Sequence, residues 1–323
     1  MIRGRPLVTA LGGGTGLAAV LRGMKFRPLD LTAVVTVADD GGSSGRLRRE
    51  LGVPPPGDIR NCLVALADDE SLLGQLFQHR FRDGDLSGHS FGNLFLAALT
   101  EVTGNFDLAI EECSRVLKIN GRVLPSTLDE VSLWGQKADG LVVRGESALT
   151  ASPGACERVW IEPRHATAYP PALEAIAGAD LVLLGPGSLF TSVLPHLQIP
   201  QVVAAIKATN AVRVYVCNVM TQPGETDGMD GAGHVERVLE ALDGAVDVVV
   251  AHEGPIAPDV LAHYSAQGQV PVGTDGMERL GVRVVRAPLA AAGQAVRHDP
   301  DRLSTEVLRL ARQAASRPAS RTG

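Results

Sequence analysis

The stretch that most constrains this chain runs from Val34 to Asn61, VVTVADDGGSSGRLRRELGVPPPGDIRN. It opens as a β-branched apolar run, Val34-Val35-Thr36-Val37, which reads as a buried parallel strand. It then breaks into two adjacent carboxylates, Asp39 and Asp40, and Gly41-Gly42-Ser43-Ser44-Gly45. Arg46, Arg48 and Arg49 follow on an expected helix, then three prolines, then Asp58, Arg60 and Asn61. In an open α/β sheet, ligands bind beyond the carboxyl ends of the strands. This segment places acids, flexible backbone amides, hydroxyls and guanidiniums there. A core strand needs none of them, so a binding or catalytic site is the natural reading.

The segment before it has the same grammar. Leu7 to Leu11 reads as a strand, Gly12-Gly13-Gly14-Thr15-Gly16 as a turn and Leu17 to Gly23 as a helix. Glycines let the backbone approach an anion, and a helix N-terminus supplies free N–H groups and partial positive charge. The spacing is not G-x-G-x-x-G and no lysine stands where a P-loop needs one. The turn is therefore either a phosphate cradle or simply tight. After the second strand, Leu31 to Val37, an acid would bind ribose in a dinucleotide fold. Here Asp39 and Asp40 suit Mg²⁺, which takes one or two carboxylates with phosphate oxygens and water; the other reading is a solvated loop with an Asp capping a helix over Leu47 to Leu51. Asp58 reads as an N-cap or a ligand, while Arg60 and Asn61 would face an anion from the same helical turn. A helix over Leu72 to Phe81 leads to Gly88-His89-Ser90-Phe91-Gly92-Asn93 and a helix over Leu94 to Glu101. His89 and Asn93 read as part of a site lip, with structural hydrogen bonding as the alternative for the histidine.

From Val116 to about Pro170 short alternating runs separated by Asn-Gly, Asp-Gly and Pro predict antiparallel hairpins, a β-rich subdomain inserted into an α/β body. Gly145-Glu146-Ser147 within it reads as a turn or a ligand contact. The parallel pattern then resumes: a helix over Pro171 to Gly178, a strand over Leu181 to Leu184, and a second small-residue loop, Gly185-Pro186-Gly187-Ser188-Leu189-Phe190-Thr191-Ser192. Two such loops on one sheet, with Gly185, Gly187, Ser188, Thr191 and Ser192 on the second, suggest a ligand with two anionic or polar ends. Val202 to Ile206 reads as helix or strand edge. A strand over Val212 to Val216 delivers Asn218 and Thr221. Further elements are expected over His234 to Leu242, Asp247 to Ala251, Val260 to Ala266, Val282 to Arg286 and Pro300 to Ala314, with a disordered tail from Ser316 to Gly323. The fold class is α/β, Rossmann-like: a mostly parallel sheet with helices on both faces, one domain over residues 1–315 carrying the insertion at about 116–170.

Composition agrees. Of 323 residues 45% are hydrophobic and 20% charged, enough apolar material for a large core, while aromatics make up 4% and glycines number 36, as suits a sheet packed by Val, Leu and Ala. The net charge of −6 argues against nucleic acid held by phosphate neutralisation. Cys62, Cys113, Cys156 and Cys217 are scattered without a C-x-x-C pair, so neither zinc nor a disulfide framework is indicated; reduced thiols in a cytoplasmic protein are expected. No apolar run approaches the ~20 residues needed to span a bilayer, so no membrane insertion is expected.

GGGTGL (12–17), TVADDGGSSGRLR (36–48), PPGDIRNCL (55–63), GHSFGNL (88–94), GPGSLFTS (185–192), CNVMTQPGET (217–226) and RHDP (297–300) together resemble the YvcK-type gluconeogenesis factors of the CofD-like superfamily, over roughly residues 7–310. The resemblance implies a cytoplasmic protein that binds UDP-sugars such as UDP-N-acetylglucosamine or UDP-glucose and supports cell shape and wall synthesis on gluconeogenic carbon sources. It also implies nucleotide-sugar contacts from Tyr264 in HYSAQG and Arg297 in RHDP. The enzyme branch of that superfamily, 2-phospho-L-lactate transferase, uses Mg²⁺ and a guanylylated donor, and Asp39 and Asp40 match its acidic pair in kind. Three functions therefore stand: a regulatory UDP-sugar binder without turnover, a Mg²⁺-dependent transferase of a phosphate-containing group, and an NAD-dependent oxidoreductase, for which no hydride-transfer residues stand out. Partners in wall synthesis and a homodimer are compatible with the first.

Overall fold

The computed structural model describes residues 4–67, 72–291 and 296–316. The expected tail falls outside these residues except for Ser316, which caps the last helix. In chain order the elements are β1 (Leu7–Gly12), α1 (Gly14–Met24), β2 (Asp30–Val35), α2 (Gly42–Leu51), α3 (Gly57–Leu66), α4 (Leu72–Gln78), α5 (Phe91–Thr103), α6 (Phe106–Leu117), β3 (Arg122–Pro125), β4 (Ser132–Lys137), β5 (Val142–Arg144), α7 (Glu146–Ala151), β6 (Cys156–Glu162), α8 (Pro170–Ala177), β7 (Leu181–Leu184), α9 (Pro200–Ala208), β8 (Val212–Val216), α10 (Gly231–Leu242), β9 (Val248–His252), α11 (Pro258–Ser265), β10 (Arg283–Ala287) and α12 (Pro300–Ala315).

Seven strands form one sheet in the order β10-β9-β8-β7-β1-β2-β3, and every pairing in it is parallel. The continuous apolar runs dictate this. Leu181 to Leu184 is buried at all four positions, as a strand covered on both faces must be. From β1 the chain winds one way through β2 and β3, and from β7 the other way through β8, β9 and β10. Right-handed crossovers therefore put α1 and α9 on opposite faces, and the winding reverses between β1 and β7. α1 packs on α3 and α12, while α8, α9 and α10 pack in succession on the other layer.

The second sheet, β5-β4-β6, has three antiparallel strands. Its inner side, Val131, Leu133, Val159 and Ile161, is part of the main core. The stretch expected to be wholly inserted is divided: Arg122 to Pro125 pairs in parallel with β2 and ends the large sheet. Helix α6, absent from the sequence-based expectations, precedes it. α2 starts at Gly42 rather than at Leu47, with Gly41 as N-cap, and no Asp caps it. Asp58 is not an N-cap either, since Pro56 holds that position in α3. Val202 to Ile206 is helical, inside α9. The residues after β7 form a single π-helical turn, Leu189–Val193, and a 3₁₀ turn, His196–Gln198. All four cysteines are free and buried. Among the described residues no helix is long and apolar enough to cross a membrane.

Candidate functional site

Where the sheet reverses its winding, the loops after β1, β7 and β8 enclose a cleft of about 430 Å³, the place at which open α/β sheets bind ligands. Gly13, Gly14, Thr15 and Gly16 line one wall and Gly187, Ser188 and Ser192 the next; Asn218, Thr221 and Arg297 line the far side. α1 begins at Gly14 with no side chain on its N-cap residue and no acid in its first turn; the Gly14 amide is taken by Asp58, which leaves the next amides, of Thr15 and Gly16, for an anion. The two glycine loops touch: a Cβ on Gly16 would lie 2.7 Å from Pro186 O and 2.9 Å from Gly187 Cα. Gly12 and Gly185 shape the turns from behind. His196 Nε2 lies 3.0 Å from Gly12 O, and Gly185 takes φ 81°, a conformation suited to glycine. Thr191 is buried in the π-helical turn.

An acidic corner adjoins the glycine wall. Asp39 Oδ1 accepts the Gly41 amide at 2.8 Å, and burial raises its carboxyl above the usual range, with the Ser44 hydroxyl among the groups that oppose this. Burial and then the Asp39 charge push Asp58 up to about 7, although the Gly14 amide donates to it. Glu146, at the start of α7, lines the cleft; burial, then Asp39 and Asp58, push its carboxyl up to about 9. The loop after β2 and helices α3 and α7 thus bring three carboxyls within electrostatic reach of one another. Asp40 serves α7 instead, where its Oδ1 accepts the Ser147 amide at 3.0 Å and so caps that helix. Mg²⁺ takes few protein ligands when phosphate and water supply the rest, and Asp39 with Asp58 beside the Gly14 amide fits that demand better than Asp39 with Asp40. Among the described residues no three His, Cys, Asp or Glu side chains form a group that could hold a metal ion.

Of the remaining expected residues, Thr221 and Arg297 line the cleft and the others do not. Ser43 Oγ is 3.0 Å from His89 Nδ1 and accepts from Asn93 Nδ2 at 3.1 Å, tying α2 to the start of α5. Burial, then Arg46, lowers the His89 pKa. Arg46 donates to Ser87 O at 2.7 Å. Arg60 donates to Asn61 Oδ1 at 2.5 Å; burial, then Arg80, lowers its pKa while Asp58 and Asp39 oppose that. Thr221 Oγ1 accepts the Val270 amide at 2.9 Å. Tyr264 presents its hydroxyl to the Val296 amide at 2.9 Å, which places it behind Arg297. Arg297 itself is exposed and forms no ion pair among the described residues.

Sequence reasoning missed how α7 is fixed. Lys137, 1% exposed, donates through Nζ to the carbonyls of Leu149 at 2.7 Å, Ser152 at 2.8 Å and Gly154 at 3.1 Å, and also to Gly224. Glu225 Oε1 accepts from Thr150 of α7 at 3.1 Å and from Gln222 at 2.6 Å, and Gln222 Oε1 accepts from Ser188 at 2.5 Å. The inserted sheet, α7 and the second glycine loop are therefore one hydrogen-bonded unit. His298, also in the cleft wall, is pushed down to about 4 by burial; its signal in the sequence is the RHDP run, 297–300.

Known proteins agree with this architecture. The family model for 2-phospho-L-lactate transferase CofD matches residues 8–290. The gluconeogenesis factor of Bacillus subtilis (strain 168) is 43% identical over 314 residues, which cover 96% of this chain and 99% of that protein. The gluconeogenesis factor of Halalkalibacterium halodurans is 46% identical over 306 residues, 93% of this chain and 95% of that one. A crystal structure of a UPF0052 family member from Bacillus halodurans aligns with a TM-score of 0.92 at 46% identity, over 95% of this chain and all of the other.

Proposed function

This chain belongs to the CofD family, in the company of its gluconeogenesis factors, and from that premise we propose that it binds a nucleotide sugar in the switch-point cleft and acts as a regulator without turnover. The observation that carries the reading is the pairing of the Thr15 and Gly16 amides at the α1 N-terminus with Arg297, which has no ion-pair partner among the described residues, across the same cleft. Backbone amides and one guanidinium are what a diphosphate requires. The carboxyls of Glu146 and Asp58 beside them suit the hydroxyls of a sugar. UDP-N-acetylglucosamine and UDP-glucose are the ligands proposed, with the downstream role in cell shape and wall synthesis that the family resemblance implies.

A second reading rests on the acidic corner. Asp39 and Asp58 beside the glycine wall would hold Mg²⁺, which would draw charge from a transferring phosphoryl group; the chain would then be a transferase of a phosphate-containing group. Calorimetry with UDP-N-acetylglucosamine, UDP-glucose, GDP and NAD, each with and without Mg²⁺, separates the readings. Saturable UDP-sugar binding with the nucleotide recovered intact supports the regulator. Consumption of a nucleotide donor supports the transferase, and preference for NAD would remove both.

A further inference from the structure

The outer side of the three-stranded sheet has the composition of a contact surface. Its inner side faces the core, so its outer side would ordinarily be polar. Yet both tryptophans of a chain that has only two stand there. Trp134 on β4 lies directly opposite Trp160 on β6 and Arg144 on β5, forming one row across three strands. The rings are stacked, with centroids 6.3 Å apart and planes 11° apart, and both are only half-buried. Arg144 lies over Trp134 at 5.8 Å, and Arg158 and Arg164 over Trp160 at 5.6 and 5.3 Å. Gln136 holds Arg158 at 2.8 Å, so that guanidinium is oriented in advance. A cross-strand aromatic pair stabilises a sheet, but that alone requires neither solvent exposure nor three exposed arginines.

We propose that this Trp134–Trp160–arginine face is a docking surface for an acidic protein segment that brings carboxylates and apolar side chains. Tryptophan and arginine together are the residues that carry binding energy in protein interfaces. The charge pattern selects the partner. In a chain of net charge −6, the face gathers Arg48, Arg144, Arg158 and Arg164 against Glu130 and Glu162, which pair with Arg48 and Arg164. Carboxylates set among guanidiniums repel a continuous phosphodiester strand, whereas separate acidic side chains fit between them. The surface does not depend on which ligand the cleft takes, but it adjoins the cleft. Leu149 of α7 packs on Gly135 from the inner side of the same sheet, and α7 carries Glu146 into the cleft wall.

Since both tryptophans are on this face, intrinsic tryptophan emission reports on it directly. The whole protein is titrated at low salt with a random glutamate–tyrosine copolymer, with polyglutamate and with oligoadenylate, in the presence and absence of UDP-N-acetylglucosamine. The expected result is a saturable change in emission with the copolymer, weaker with polyglutamate and reduced by salt. Arg158→Ala combined with Arg164→Ala, which leaves both rings in place, is expected to weaken copolymer binding roughly tenfold, with urea unfolding unchanged as the control for folding. No change with the copolymer, equal binding by the double variant, or tighter binding of oligoadenylate overturns the proposal. UDP-N-acetylglucosamine binding is read separately by calorimetry, so failure of the surface and failure of the cleft reading are distinguished.

Discussion

Asp40 and Ser147, 107 positions apart in the sequence, are joined by one hydrogen bond in which the Ser147 amide donates to Asp40 Oδ1 at 3.0 Å. The second of the twin aspartates is thereby the device that presents α7, and with it Glu146, to the cleft. Removing a helix cap costs about 1 kcal/mol. Asp40→Ala is therefore expected to lower unfolding stability in urea by that amount and to weaken UDP-sugar binding, while Asp40→Asn, which keeps an acceptor oxygen, retains most of both. Equal ligand affinity in Asp40→Ala and the parent protein would show that α7 has no part in the site.

Gly16 and Gly187 test the contact between the glycine loops. The Cβ of Gly16→Ala would meet backbone atoms, Pro186 O and Gly187 Cα, which cannot rotate aside as a side chain would. Overpacking of this kind costs about 1–3 kcal/mol. The substitution is expected to destabilise the fold by that order and to abolish detectable ligand binding, because the cleft wall must part to admit the methyl. Calorimetry on a folded Gly16→Ala protein that still binds with parental affinity would mean that the loops move independently.

The loops after β1 and β7 were legible because glycine clusters at the ends of apolar runs have few other uses. Elements with long apolar runs followed from the sequence, as in β8, which spans Val212 to Val216 as expected, whereas α6 did not. Other features depend on tertiary context. α2 runs through Gly-Ser-Ser-Gly, a poor helix former whose place is dictated by packing: a Cβ on Gly45 would collide with Asp40 O. β3 is four residues long, too short for periodicity to separate a parallel edge from a hairpin. Asp58 and Glu146 have ordinary local sequences. Only the fold reveals that Asp58 is buried and Glu146 half-buried, each within reach of the Asp39 charge. Lys137 gives no local sign that its ammonium is caged by carbonyls from two sides of the chain.

The buried carboxyls set the direction of the pH response. Glu225 is pushed up to about 7 and Glu146 to about 9, burial being the first cause for each. A folded-state pKa above the ordinary 4.5 means that the native state holds protons the unfolded chain has released. Stability therefore falls as pH rises between those values. His196 and His298, pushed down to about 4 by burial, act oppositely: their contribution is complete above the ordinary 6.5 and is lost as pH falls toward 4. Above 6.5 the carboxyl effect remains, joined near pH 9 by the buried thiols of Cys113, Cys156 and Cys217, which burial pushes up to about 12. In metal-free buffer the melting temperature is expected to decline from about pH 7 to 9, and Glu146→Gln is expected to flatten that decline. A parallel decline in the variant would assign the slope to other groups.

Arg297 carries the strongest single prediction because no ion pair among the described residues competes for it. The side chain is exposed at the cleft wall while the backbone beside it is fixed, Tyr264 taking the Val296 amide at 2.9 Å and the Arg297 carbonyl accepting from Ala291 at 2.8 Å. The backbone is thus held while the guanidinium has no ion-pair partner among the described residues, so a charged hydrogen bond to a ligand displaces no existing pair. Arg297→Ala is expected to weaken UDP-N-acetylglucosamine binding by at least ~1.5 kcal/mol, or about tenfold in dissociation constant. Folding stability should hardly change, since the substitution breaks no ion pair among the described residues. Arg297→Lys keeps the charge but not the planar fork, so it should recover only part of the affinity. Tyr264→Phe is expected to act more weakly and through position alone, by leaving the Val296 amide without its acceptor. A dissociation constant in Arg297→Ala equal to that of the parent would remove Arg297 from the diphosphate and leave the α1 N-terminus as the remaining anion site.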